Sequence, residues 1–111
     1  MNRYSSDEQK QIASTIISQL GGFGRLSAMT GAKQFLVGEN TDSEAYLIFK
    51  IGRNSKSVNY VKITLNAMDL YDTQYTRATI KGITTKSESS GIYADMLRAD
   101  FETATGMYLT L

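Results

Sequence analysis

Apolar positions recur at three- and four-residue intervals near the start of the chain, as on one face of a helix. They follow a serine pair and precede Gly21-Gly22. Serine accepts hydrogen bonds from a first helical turn, and glycine adopts the left-handed conformation that ends a helix. This pattern predicts a helix over about residues 6–20. The following residues, 23–30, fit either a short helix or a turn.

A second segment with helical spacing lies near the end of the chain, from Ile92 to Ala104. Ser87 to Ser90 form a polar stretch before it, which predicts a break in the structure and a serine cap. Gly106 is the predicted stop. The apolar residues after Gly106 predict a tail that packs on the core or on a partner.

The centre of the chain alternates apolar and polar positions with a period of two, which is typical of strands with one buried face. Residues 45–51 and 58–65 have this alternation, and polar turns separate them. Residues 34–37 predict a shorter strand, and residues 70–86 predict one or two more. The sequence therefore predicts one α+β domain over residues 1–111. Its antiparallel sheet of three to five strands carries the N-terminal and C-terminal helices on one face.

The face of this sheet away from the helices is expected to be polar and basic. Charge is uneven along the chain, whose net value is only +1. Residues 50–86 hold seven Lys or Arg and two Asp, a net charge of +5, whereas both flanking segments are net acidic. Tyrosines alternate with these lysines. The sheet face is expected to carry Tyr46, Lys50, Tyr60 and Lys62, with some of Tyr71, Tyr75 and Arg77.

Lysine and arginine neutralise phosphates, and tyrosine rings stack on exposed bases, so this face suits single-stranded nucleic acid. Lysine and tyrosine are also ordinary on the solvated face of an antiparallel sheet, where lysine guards against edge-to-edge aggregation. The candidate binding residues are Tyr46, Lys50, Arg53, Lys56, Tyr60, Lys62 and Arg77.

The chain contains no cysteine and no histidine. This excludes disulfides, thiolate metal sites, and serine-histidine or cysteine-histidine catalysis. The glycine-rich stretch from Gly21 to Arg25 does not match the spacing of a phosphate-binding loop, and it follows a helix where such a loop follows a strand. The sequence predicts no cofactor, no metal and no catalytic residue.

Paired carboxylates leave one enzymatic alternative, a metal-dependent nuclease built on Asp69 and Asp72. Aspartate is common at turns for local reasons, which favours a structural role for this pair. Asp95 and Asp100 are expected on the solvated face of the last helix.

Six stretches of the chain resemble small proteins encoded in bacteriophage and other mobile-element genomes. They are Met29–Phe35, Leu47–Arg53, Asn59–Asn66, Asp69–Asp72, Gly91–Arg98 and Thr105–Leu111. The resemblance implies a phage-like accessory protein made in a bacterial cytoplasm, and it carries over no catalytic residue. Small phage proteins of this size often bind host or defence components, including CRISPR effectors.

The leading hypothesis is a non-enzymatic binding protein that engages nucleic acid, or a protein that handles nucleic acid, through the basic sheet face. The alternative is a protein-directed inhibitor of a host or defence complex, with no affinity for nucleic acid. The third hypothesis is the nuclease. No membrane-spanning segment is expected, and the apolar tail and an open sheet edge favour a homodimer.

Overall fold

The computed structural model describes residues 4–109. Three helices and five strands make up this part of the chain. They are α1 (Ser6–Gln19), α2 (Phe23–Thr30), β1 (Lys33–Glu39), β2 (Ala45–Lys50), β3 (Tyr60–Leu65), β4 (Tyr71–Thr79), β5 (Gly82–Ile92) and, after a 3-10 turn (Ala94–Met96), α3 (Leu97–Thr105).

The strands form one antiparallel sheet in the order β1-β2-β3-β4-β5, so each strand pairs with its neighbours in the sequence. This meander with helices before and after it confirms the predicted α+β fold. Successive connections therefore lie at opposite ends of the sheet. The predicted strands over 45–51 and 58–65 correspond to β2 and β3, and the ambiguous segment 70–86 holds the whole of β4 and the first half of β5.

Alternation within β2 and β3 places most of their apolar residues on the face that the helices cover. In β2, Leu47 and Phe49 are fully buried, and in β3, Val61 and Ile63 are fully buried. They form one hydrophobic core with Ile16, Leu26, Leu97 and Phe101 of the three helices and with Leu20, which directly follows α1. This burial drives the association of helices and sheet, because each such side chain contributes about 1.5–3 kcal/mol when removed from water.

The predicted N-terminal helix begins with a capping box. The Ser5 hydroxyl accepts a hydrogen bond from the Glu8 amide at 3.1 Å, and the Glu8 carboxylate accepts one from the Ser5 amide at 3.0 Å. The bond from the Ser5 backbone is the main reason that the pKa of Glu8 is lowered, and the Ser5 hydroxyl adds to it. Residues 23–30, which fitted a helix or a turn, form the short helix α2.

The predicted break over Ser87 to Ser90 is wrong, because these residues belong to β5. Ser87 pairs with Tyr75 and Ser89 with Thr73, and the sheet continues to Ile92. The backbone of β4 offers these polar residues a ladder of hydrogen bonds that their side chains did not predict. Helix α3 consequently begins at Leu97, and no side chain caps it.

The chain after α3 returns to the core, as its apolar residues predicted. Gly106 ends the helix in the left-handed conformation, with φ of 71°. Leu109 is fully buried, and its amide donates to the Glu102 carboxylate at 2.7 Å. The last two residues of the predicted tail lie outside the described residues. Between residues 4 and 109, no helix has the length and apolarity needed to cross a bilayer.

Candidate binding surface

Four of the seven candidate residues lie on the open face of the sheet, which is the face away from the helices. They are Tyr46 and Lys50 on β2, and Tyr60 and Lys62 on β3. Each is partly exposed, and each alternates with a buried core residue on its strand. Lys50 pairs directly with Tyr60 across the two strands. The sequence therefore placed these four side chains correctly.

Tyr71, Tyr75 and Arg77 were considered for the same face, and all three lie on the opposite one. They alternate with the open-face residues Asp72, Gln74 and Thr76 along β4. Tyr71 and Tyr75 are buried under the helices. Arg77 is exposed, because it lies near the end of β4. Tyrosine suits either face of a sheet, so its presence did not decide the register.

Tyr46 has two contacts that occupy its ring. It lies directly across from Gly38 on β1, and an added side chain at Gly38 would come within 2.6 Å of the Tyr46 hydroxyl. The Lys62 ammonium lies 4.7 Å from the centroid of the same ring, in cation–π geometry. Tyr46 thus fills the gap left by a glycine on the neighbouring strand and holds Lys62 in place.

The open face has two depressions of different character. One is polar, has a volume of about 290 Å³, and includes Lys62 together with the carboxylates of Asp72 and Glu88. The other is mainly apolar and has a volume of about 360 Å³. Ile48, Tyr60, Ala78 and Ile83 supply its apolar wall, while Val61, Lys62, Gln74 and Thr76 complete it. Because the face carries both signs of charge, the positive charge is not concentrated at its centre.

The positive charge is concentrated at one end of the sheet. A transverse row of paired residues crosses all five strands there: Lys33, Lys50, Tyr60, Thr76 and Thr85. Residues 50–60 and 76–85, which lie on this row and beyond it, contain five basic side chains and no Asp or Glu. Lys33 of β1 is the sixth basic residue at this end. We call this set the basic end: Lys33, Lys50, Arg53, Lys56, Arg77 and Lys81.

The other end of the sheet has the opposite charge. A second row of paired residues, Gly38, Tyr46, Thr64 and Asp72, crosses β1 to β4 about 13 Å away along the strands. Residues 38–46 and 64–72, on and beyond this row, contain five acidic side chains and no Lys or Arg. We call this set the acidic end: Glu39, Asp42, Glu44, Asp69 and Asp72.

Hydrogen bonds fix the loop of the basic end, residues 52–59 between β2 and β3. The Asn54 amide group donates to the carbonyls of Gly52 and Val58 at 2.9 and 2.6 Å. The Asn59 side chain exchanges two hydrogen bonds with the Ala78 backbone, at 2.7 and 2.8 Å. Arg53 and Arg77 both line a depression of about 440 Å³ beside this loop. The basic side chains therefore project from a backbone that is already ordered.

The two carboxylates of the nuclease hypothesis line different depressions. Asp72 lines the polar depression of the open face, and Asp69 lines one beside α1. Asp72 accepts hydrogen bonds from the Asn66 side chain and the Gly91 amide, both at 3.0 Å, which hold the β3–β4 turn and the end of β5 together. Within residues 4–109, no three Asp or Glu side chains converge as a metal site would need.

The sequence predicted that Asp100 lies on a solvated face of the last helix, and the structure shows that it faces the sheet instead. Its Oδ2 accepts hydrogen bonds from the Thr73 and Tyr75 hydroxyls, both at 2.7 Å. Burial, and then the adjacent carboxylate, raise the pKa of Tyr75 far above the ordinary value of 10.0. Asp100 therefore joins α3 to the centre of the sheet. Asp95 is exposed as predicted, but it lies in the 3-10 turn before α3 rather than on the helix.

The sequence showed an excess of positive charge in residues 50–86, but the separation of basic and acidic side chains to opposite ends of the sheet was missed. This separation could have been predicted from the charges of the loops, because their sign alternates from one strand connection to the next. The β1–β2 and β3–β4 connections carry acidic residues, whereas the β2–β3 and β4–β5 connections carry basic ones.

No protein-family model, curated protein or solved structure matches this chain.

Proposed function

We propose that this protein binds nucleic acid without catalysing a reaction on it, with the phosphate backbone lying against the basic end of the sheet. The observation that carries the proposal is the segregation of six basic side chains at one end of the sheet, where the strand and loop residues 50–60 and 76–85 include no Asp or Glu. Lysine and arginine that neutralise phosphates release bound counterions, and this release supplies most of the affinity for a polyanion.

Two further properties of the basic end support binding. Arg53 and Arg77 border one depression, which brings two arginine residues to the same part of the surface. Arginine pairs with phosphate oxygens through two parallel hydrogen bonds. The hydrogen-bonded loop beneath Arg53 is ordered before any ligand arrives, and a preordered loop loses less conformational entropy on binding.

The experiment measures anisotropy of labelled single-stranded and duplex DNA and RNA at about 50 and about 200 mM salt. We expect binding that weakens steeply with salt, since each phosphate contact adds about 0.7 to 0.9 to the slope of log affinity against log salt. Absence of binding to every probe at the lower salt concentration would overturn the proposal. A stoichiometric protein captured from bacterial lysate, together with that absence, would favour the protein-directed inhibitor.

A matched pair of variants locates the surface. Arg53→Glu/Lys56→Glu reverses two charges at the basic end, and Lys10→Glu/Arg25→Glu reverses one lysine and one arginine on α1 and α2. All four side chains are exposed, and both variants change the net charge equally. We expect the first variant to lose affinity and salt dependence, and the second to keep most of both. Equal losses would show that overall charge, rather than the basic end, controls binding.

The proposed setting is the cytoplasm of a bacterium that carries a phage or other mobile element. It rests on the six stretches that resemble such proteins and on the absence of cysteine, which suits a reducing compartment. Homodimerisation remains a prediction, which a light-scattering mass of the purified protein tests.

A further inference from the structure

The apolar depression of the open face crosses the transverse row that bounds the basic end, because Thr76 lies on that row and Ala78 and Ile83 lie beyond it. Tyr60 belongs to the transverse row that bounds the basic end, and it also lines the depression. Its direct cross-strand partner is Lys50, and paired Cα atoms in such a sheet lie about 4.5–5.5 Å apart. A group that rests on the Tyr60 ring is therefore within reach of a lysine that belongs to the basic end.

Tyr60 differs from Tyr46 in what its ring contacts. Tyr46 covers Gly38 and lies beneath the Lys62 ammonium. Among the described residues, no aromatic ring and no lysine or arginine cation lies against the Tyr60 ring. Of the two tyrosines on the open face, Tyr60 is thus the one that lines the apolar depression without a ring or cation contact.

The walls of the depression match a nucleobase in chemistry. Ile48, Ala78 and Ile83 offer apolar contact, and Ile83 is 76% exposed at the rim. Gln74 and Thr76 border the same space with an amide and a hydroxyl, which donate to and accept from the polar edge of a base. Bases inside a duplex are stacked on each other, so only an unpaired base can enter such a depression.

Resting on the proposed function, we infer that the ligand is a single strand, one base of which stacks on Tyr60 in the apolar depression. The phosphates beside that base lie along Lys50 and the β2–β3 loop. Stacking on an aromatic side chain contributes to affinity for every base, so this contact predicts preference for single strands with little preference for sequence. The 2′-hydroxyl plays no part in it, and single-stranded DNA and RNA both fit.

The test compares single strands with duplexes of equal length, using the wild-type protein, Tyr60→Leu and Tyr60→Phe. We expect tighter binding of single strands by the wild type. Tyr60→Leu should weaken single-strand binding by about tenfold or more, with the salt slope and the duplex affinity unchanged. Tyr60→Phe keeps the ring and should keep the affinity within about twofold, because stacking does not need the hydroxyl.

A second pair of variants keeps the test decisive if Tyr60→Leu fails to fold. Ile83→Glu places a carboxylate at the rim of the depression, and Leu36→Glu places one on β1 of the same face, outside it. Both residues are highly exposed, so neither change removes a core contact. We expect Ile83→Glu to weaken single-strand binding more than Leu36→Glu does.

Each result bears on one of the two proposals. Salt-dependent binding with equal affinity for duplex and single strand, unaffected by Tyr60→Leu or by Ile83→Glu, overturns the stacking inference and leaves the basic end as the nucleic-acid surface. If the wild-type protein binds none of the probes at low salt, the proposed function itself is overturned.

Discussion

The Tyr75 hydroxyl donates a 2.7 Å hydrogen bond to Asp100 Oδ2, and this bond joins the middle of the sheet to α3. The Thr73 hydroxyl donates to the same oxygen at 2.7 Å. Tyr75 is fully buried, and its ring lies 6.3 Å from that of Phe101, in edge-to-face geometry. One half-buried carboxylate of α3 therefore accepts hydrogen bonds from two hydroxyls of β4.

Tyr75→Phe is expected to lower the free energy of unfolding by about 1.5–3 kcal/mol, because it removes a buried hydrogen bond to a charged acceptor. Urea denaturation at neutral pH measures the change. Tyr93→Phe is the control, since Tyr93 is exposed and should change stability by less than about 0.5 kcal/mol. Equal small effects of the two substitutions would contradict the assigned role.

Alkaline pH should destabilise the protein through the same tyrosine. The pKa of Tyr75 is raised in the folded state by burial and by Asp100, whereas the unfolded chain ionises near the ordinary value of 10.0. Above that pH the unfolded state loses a proton that the folded state keeps, so stability falls as pH rises. Unfolding midpoints from pH 8 to 11 should fall less steeply for Tyr75→Phe than for the wild type; parallel curves would refute this.

Removing the cap of α1 should weaken the N-terminal helix. Ser5→Ala deletes the acceptor of the Glu8 amide and is expected to cost about 0.5–2 kcal/mol. Ser6→Ala is the control, because Ser6 lies within the helix and makes no capping bond. The difference between the two variants in thermal unfolding should shrink below pH 4.5, because the Ser5 hydroxyl helps to lower the pKa of Glu8 and this contribution disappears when Glu8 is protonated. A greater loss from Ser6→Ala would place the cap elsewhere.

Gly38→Ala should displace the Tyr46 ring, because the added carbon would lie 2.6 Å from the tyrosine hydroxyl. A cost of about 1–3 kcal/mol is expected from this overpacking, and Lys62 should lose its ring contact. Gly24→Ala is the matched control in α2, where no atom lies within 4 Å of the new carbon. It should stabilise the protein by about 0.5–1 kcal/mol. Denaturant unfolding of both variants distinguishes a steric effect from a general effect of removing glycine.

The sequence predicted those elements in which one face is buried and the other is wet. Residues 47, 49, 61 and 63 are buried at every second position, and that alternation sufficed to place Tyr46, Lys50, Tyr60 and Lys62 on the open face. The glycines after α1 and α3 predicted both helix ends for local steric reasons. These features depend on neighbouring residues in the chain, so one sequence contains them.

Features that depend on distant partners were not predictable in the same way. β5 is an edge strand whose serines pair with β4, and without the partner strand they read as a loop. The hydrogen bonds of Asp100 involve two hydroxyls that are 25 and 27 residues away. The net charge of residues 50–86 does not describe one surface, because this range spans both ends of the sheet. Asp69 and Asp72 lie in that range but belong to the acidic end.

In this meander, successive connections lie at opposite ends of the sheet and carry charges of opposite sign. The sheet and its loops therefore form an electric dipole that runs along the strands. Such a dipole experiences a torque near a polyanion, and this torque rotates the molecule before contact. Collisions would then occur with the positive pole foremost, which raises the association rate at low salt more than it raises affinity. Exchanging Asp42 for Lys and Lys81 for Asp would preserve the net charge of +1 while weakening both poles. We therefore expect a nearly neutral chain with this fold to approach the proposed polyanion with its basic end first.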